Sequence, residues 1–294
     1  MELGLGTVQF GLDYGLSNEE GKVPAREVCS ILKIAHENGI RVLDTAAKYG
    51  ESESVLSRAM FPGNSFKVFT KLYPLKKDTI GIEDVALLKK KFGESLRKLK
   101  LDCLAGLLVH YPGDLLVSGG DVIYDYMLSL KERGYVEKIG VSVYTGEEID
   151  RLFHHYNFDM VQLPMNVFDQ RLIHSGHISK LKVKNVEIHV RSAFLQGLLL
   201  MPIGIINPYF VPIMPMLKKY RAYLDNNNVS PVEGALGFLR AQPELDVILT
   251  GVTNENQLRA NIEAFNVRLP SSLDFSQFAV ECEDMINPVL WKLT

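Results

Sequence analysis

Cysteine is scarce in this chain. Its three cysteines, Cys29, Cys103 and Cys282, are an odd number with no CxxC pair among them. That excludes a disulfide framework and a zinc knuckle and points to a reducing compartment. Long apolar runs are missing too. The most apolar later stretch, residues 194–206, is interrupted by Gln196, Pro202 and two glycines, too short and broken to span a bilayer. No charged-then-apolar leader opens the sequence. Charge of one sign is nowhere concentrated, and the net charge is −3. The densest basic cluster, Lys89 to Lys91 followed by Arg97, Lys98 and Lys100, lies in one helical segment and reads as a solvated face. The expectation is a cytoplasmic protein that engages a small molecule and neither nucleic acid nor membrane. The sequence does not speak to oligomeric state.

What the chain does have is length and a steady rhythm. It carries 294 residues, 47% of them apolar, enough to bury a large core. Strands are expected over residues 3–10, up to Asp44, and over 67–72, 103–110, 139–143, 160–163, 186–190 and 247–250. Helices are expected over residues 24–36, 52–60, 82–99, 122–133, 146–155, 175–183, 232–240 and 255–265. The strands are short and continuously apolar, as in a parallel sheet covered on both faces. Eight such units in a row predict an α/β fold, a (β/α)8 TIM barrel forming one domain over residues 1–294. An open dinucleotide-binding sheet would want GxGxxG after its first strand, and GLGTVQFG does not have that spacing. Two segments break the rhythm. Residues 194–230 form an extended loop after strand 7, with four prolines and a further helix near residues 216–226, and residues 271–294 form a C-terminal extension.

Polar side chains stand where the second, third and fourth strands end. Asp44 closes IRVLD, Lys71 closes VFTK, His110 closes LAGLLVH, and Tyr49 lies in the loop after Asp44. Parallel barrel strands all end on one face, so these four should converge on one pocket. Their chemistry suits reduction of a carbonyl. A free phenol is a sluggish acid near neutral pH. A neighbouring lysine ammonium would lower its pKa, Asp44 would keep that lysine charged, and His110 would orient the carbonyl oxygen. Each residue alone has a blander reading, as a helix cap, a snorkelling lysine or a satisfied histidine. The joint placement carries the argument.

At DTAAKYGESESVL the chain resembles the aldo-keto reductase family, whose signature has the form D-T-A-x-x-Y-G-x-S-E. The resemblance runs from residue 3 to about 265. It implies a (β/α)8 barrel that reduces aldehydes and ketones with a nicotinamide cofactor, with Asp44, Tyr49, Lys71 and His110 as the catalytic tetrad and Asp44 also beside the cofactor. GYVEKIGVS resembles the strand 5 segment, which gives Ser142 a hold on the nicotinamide carboxamide, although Val143 replaces the usual asparagine. VQLPMN does the same for Gln162. RSAFLQGLL resembles the strand 7 motif, placing Ser192, Phe194 and Gly197 along the pyrophosphate. Arg191 stands there in place of a stacking aromatic, and a guanidinium plane can also stack. Gly6, Thr7 and Val8 at the end of the first strand complete that wall. GVTNENQLRAN resembles the adenosine-binding segment, with Gly251, Thr253, Gln257 and Asn261 at matching positions and Ala260 in place of an acid.

The resemblance implies NADP(H) as the family default. Thr253 and Gln257 are neutral, and no basic residue follows the strand 7 motif before Lys218, so NAD(H) is the alternative. The start LGLGTVQFGLDYG lacks the hairpin that plugs many family barrels. With the NPVLW ending it looks most like bacterial members associated with sugar and surface-polysaccharide metabolism. Loop residues Asp13, Tyr14, Tyr73, Tyr111 and Phe168, with Asp169 and Arg171, suit a polyhydroxylated or anionic carbonyl substrate. Two other readings compete: a cofactor-binding regulatory subunit, as in potassium-channel β subunits, and a lyase using Lys71 as a Schiff-base amine.

Overall fold

The apolar runs of the sequence become eight parallel strands: β1 (Glu2–Gly6), β2 (Val42–Asp44), β3 (Lys67–Lys71), β4 (Leu104–Val109), β5 (Val136–Ser142), β6 (Met160–Pro164), β7 (Glu187–Arg191) and β8 (Val247–Gly251). In the computed structural model, which describes residues 1–293, they pair in sequence order and β8 closes on β1. Successive strand residues point to opposite sides. Outward ones such as Leu5, Leu43, Leu107, Val161 and Ile248 meet the helices in the main core. Inward ones, Val42, Phe69, Leu108, Met160, Val247 and Leu249, belong to a separate cluster that fills the barrel.

Counting two residues further along each strand from this filling gives the top layer. Asp44 follows Val42, Lys71 follows Phe69, His110 follows Leu108, Gln162 follows Met160 and Gly251 follows Leu249. The period of two therefore carries polar groups of different strands to one mouth.

The helices outside follow from amphipathic spacing and caps. Ala25–Glu37 buries Val28, Ile31, Leu32, Ile34 and Ala35 on one side. Gly146–His155 opens with a capping box, in which Thr145 Oγ1 accepts from the Glu148 amide. Pro231–Arg240 opens on the same device at Ser230 and Glu233, with Pro231 in the first turn. Among the described residues no helix is long and apolar enough to cross a membrane.

The structure corrects several boundaries. The first strand ends at Gly6 rather than running to residue 10, because residues Val8–Gly11 turn into a short helix. The fifth begins three residues earlier, at Val136. The helix expected over residues 175–183 starts at His177 and runs to Val183, and a separate short helix, Arg171–His174, precedes it across Gly176, whose φ is +74°. The loop after β7 winds through 3-10 turns, including Leu195–Gly197 and Pro208–Ile213, into the helix Met214–Asn226. The C-terminal extension packs Phe275 and Phe278 around the buried Tyr220 of that helix.

Candidate active site

Lys71 is the fixed point of the mouth. Its side chain is 1% exposed, and a buried ammonium is costly unless fully partnered. It is fully partnered here. Nζ donates to both Asp44 carboxylate oxygens, at 2.7 and 2.6 Å, and to the Thr45 carbonyl at 3.0 Å. The Tyr49 hydroxyl lies 3.4 Å from the same nitrogen. Gln162 Nε2 donates to Asp44 Oδ1 at 2.7 Å. Burial pulls the Lys71 pKa down, and Asp44 opposes that pull.

The phenol behaves differently from the sequence expectation. Burial pushes the Tyr49 pKa up, and the Asp44 charge pushes it further in the same direction. Tyr49 therefore holds its proton throughout the ordinary pH range. Burial, helped by the Lys71 and Arg191 charges, brings His110 down to about 3, so its imidazole is neutral. The His110 ring meets Tyr49 edge-on, with centroids 5.8 Å apart, and its Nδ1 is buried without a partner.

The loop that carries Tyr49 is latched to the end of β1. The Thr7 amide donates to the Asp44 carbonyl at 3.0 Å, and Ser52 Oγ donates to the Thr7 carbonyl at 2.8 Å. Gly11 and Gly50 touch backbone to backbone. A side chain on Gly11 would fall on the Tyr49 carbonyl, and one on Gly50 would fall on the Gly11 carbonyl. Gly50 also has φ +56°, in the left-handed region that favours glycine.

These groups border a cavity of about 750 Å³. Its wall takes in all the residues expected along a cofactor. Gly6, Thr7 and Val8 line it from β1, Ser142 and Gln162 from β5 and β6, and Arg191, Ser192, Phe194 and Gly197 from β7 and the loop beyond. Gly251, Thr253, Gln257 and Asn261 line its far end. Of the residues expected to meet substrate, only Tyr14 lines the cavity. Phe168 is fully buried against Tyr220. Tyr73 lies beneath the Lys48 and Lys91 ammonium groups, and Tyr111 beneath Lys76. Asp13 accepts from Asn18, while Asp169 and Arg171 pair with each other and Arg171 reaches on to Glu283. Arg221 donates to the Met201 carbonyl, and neither it nor Lys218 reaches the wall.

Tyr144 and Gln9 are wall residues that the sequence did not single out. Arg191 reaches across β6 to donate to the Val143 carbonyl at 3.0 Å, and its guanidinium lies 4.1 Å from the Tyr144 ring centroid. The only signal for Tyr144 was its position two residues beyond Ser142, at the end of a strand. Gln9 enters the wall because the chain turns helical there.

The wall also leaves acceptors waiting. Gln162 Oε1 and Gln9 Oε1 are buried without a partner. A buried acceptor left unmet is costly, and a carboxamide N–H would satisfy one. Gln162 Oε1, in register with Ser142 in the sheet, thus fits the amide arm of a nicotinamide.

A model of the aldo/keto reductase family matches residues 2–277. Over 168 residues the chain is 30% identical to an aldo-keto reductase of Mycolicibacterium paratuberculosis, a match covering 53% of this chain and 55% of that one. The chain thus spans about half the length of that relative. Over 281 residues it is 24% identical to an NADH-specific methylglyoxal reductase of Escherichia coli, covering 83% and 84% of the two chains. Its fold matches the holo form of a Bacillus halodurans aldo-keto reductase with a TM-score of 0.75 at 20% identity, over 94% of this chain and 90% of the other.

Proposed function

The chain belongs to the aldo/keto reductase family, and from that premise we propose that it reduces a small polar aldehyde or ketone with a nicotinamide cofactor, Tyr49 supplying the proton. One observation carries the reading. A phenol that burial keeps protonated stands 3.4 Å from a lysine ammonium at the edge of a cavity of about 750 Å³.

The cofactor, when bound, supplies the hydride. The side chains do the rest. Ser142 and Gln162 hold the amide arm. Tyr49 donates a hydrogen bond to the carbonyl oxygen and gives up its proton as negative charge builds there. The Lys71 ammonium then faces the new phenolate at hydrogen-bond range, and Asp44 keeps that ammonium charged. Ionisation of Tyr49 is costly in the resting site and becomes favourable only once the developing alkoxide takes the proton. Neutral His110 bounds the carbonyl on the other side. This geometry favours the reductase over a Lys71 Schiff-base lyase, because Nζ already contacts three oxygens from Asp44 and Thr45 and is sealed from solvent.

The cofactor form we infer is NADH. The lysine and arginine of the wall, Lys71 and Arg191, both stand at the carbonyl end, while Thr253, Gln257 and Asn261 at the far end are neutral. A 2′-phosphate is held tightly by charge-assisted bonds, which this end does not offer. The similar Escherichia coli enzyme is NADH-specific by name. Calorimetric titration with NADH and with NADPH tests this, with NADH expected to bind at least about tenfold more tightly. Preference for NADPH would overturn the inference, and binding of neither would overturn the reductase reading itself.

A further inference from the structure

The wall carries an unbalanced charge. Asp44 and Lys71 cancel one another, Glu19 lies exposed at the rim, and Tyr14, Tyr49 and His110 are neutral at ordinary pH. Arg191 is left over. Its partners are the Val143 carbonyl, the Ser192 hydroxyl and the Tyr144 ring, and none of these is an anion. The contacts also fix it in place, with the carbonyl holding one edge and the ring covering one face.

Its neighbours say what the charge acts on. In the sheet Ser142 is in register with Gln162, and Pro164, two residues beyond Gln162, is in register with Arg191. The amide clamp of β5 and β6 and the cation of β7 therefore sit side by side. A nicotinamide ring held by that clamp would have an uncompensated guanidinium as its neighbour. The oxidised ring is a cation and the reduced ring is neutral. Like charges that close in a partly buried site repel far more strongly than in water.

Resting on the reductase reading, we propose that Arg191 sets the redox-state preference of the cofactor site, so that it holds the reduced form and rejects the oxidised one. The preference has a direction for catalysis. The site fills with reduced cofactor even when oxidised cofactor is in excess, and the oxidised product leaves readily after each turnover. Carbonyl plus reduced cofactor plus one proton gives alcohol plus oxidised cofactor, and the charge on Arg191 favours the left-hand pair for loading and the right-hand pair for release.

The test is binding, without turnover. Dissociation constants for NADH and NAD+ are measured by calorimetry on the wild-type chain, Arg191→Gln and Arg191→Lys, with thermal melts to verify folding. The wild type is expected to bind NADH at least about tenfold more tightly, equivalent to about 30 mV for a two-electron couple. Arg191→Gln, which keeps a donor for the Val143 carbonyl but no charge, should bring the ratio close to one by tightening NAD+. Arg191→Lys, which keeps the charge and loses the planar stack, should preserve most of the ratio. Equal affinities in the wild type would overturn the proposal while leaving the reductase reading intact. An unchanged ratio in Arg191→Gln, or a collapsed one in Arg191→Lys, would do the same. If neither form binds the wild type, both readings fall together.

Discussion

The two ends of the barrel use similar residues to opposite ends. At the mouth stand Asp44, Lys71 and His110. Deeper in the same barrel stand Glu187, Lys138 and His189, again an acid, an amine and an imidazole. The deeper set pairs within itself, although His189 Nδ1 is left buried without a partner. Lys138 and His189 both contact the Glu187 carboxylate, His189 is fully buried, and Phe69 packs edge-on against its ring at 4.9 Å. None of the three borders the cavity. The mouth set is equally well paired at Asp44 and Lys71, yet it opens on about 750 Å³ of space and leaves His110 Nδ1 and Gln162 Oε1 unmet. Residue type alone does not make a site. Placement at the carboxyl ends of the strands, beside open space, distinguishes the two clusters.

That contrast can be broken or sharpened by experiment. The largest effect is expected from Tyr49→Phe, which should lower turnover by roughly 1,000-fold or more while leaving NADH affinity within about twofold. Near-normal turnover would remove Tyr49 as the proton donor. Lys71→Met comes next. It strands a buried carboxylate, so denaturant unfolding should show a loss of about 3–5 kcal/mol together with a turnover loss of roughly 100-fold. Glu187→Gln should reverse that profile, with kcat inside about twofold of wild type and stability lower by about 1–2 kcal/mol.

The deeper cluster also predicts an acid response. Burial opposes ionisation of Glu187, but hydrogen bonds from His189 and Lys138 outweigh it and bring its pKa down to about 2. A depressed carboxylate stabilises the fold above its unfolded value and loses that contribution as pH falls from about 4.5 toward 2. Thermal melts of wild type and Glu187→Gln should therefore differ at pH 7, and the difference should shrink below about pH 4.5 and close near pH 2. The smallest expected effect is none at all. With His110 near 3, the pH profile of kcat/KM should show no inflection between about pH 5 and 8. A step near 6.5 would mean that His110 titrates as an exposed histidine.

The sequence made the barrel legible because its strands are short, apolar and regularly spaced, and it made the convergence of Asp44, Tyr49, Lys71 and His110 legible because polar residues stand at or just beyond the ends of those runs. It misplaced the end of β1, where the apolar letters of VQF mimic a strand although the backbone has already turned helical. Apolar pattern cannot tell one turn of helix from two strand residues. Tyr144 stayed hidden because its role depends on Arg191 reaching across an intervening strand, a contact between residues 47 positions apart. Phe168 misled in the opposite sense. It follows β6 as a pocket residue would, but the helix Met214–Asn226 covers it. The ionisation of Tyr49 also ran against the sequence argument, since composition gives no measure of desolvation.

The latch of Gly11 against Gly50 has a bearing on redesign. It leaves no room for a side chain at either contact, so residues 7–12 and 45–52 form one inelastic clasp around Tyr49. Diversity introduced there would be spent on variants that cannot close the clasp. The loop after β7 borders the same cavity through Gln196, Met201 and Ile205, and Ile205 is largely solvent-exposed. A library aimed at new carbonyl compounds belongs in that loop, where the molecule can accept change without moving Tyr49.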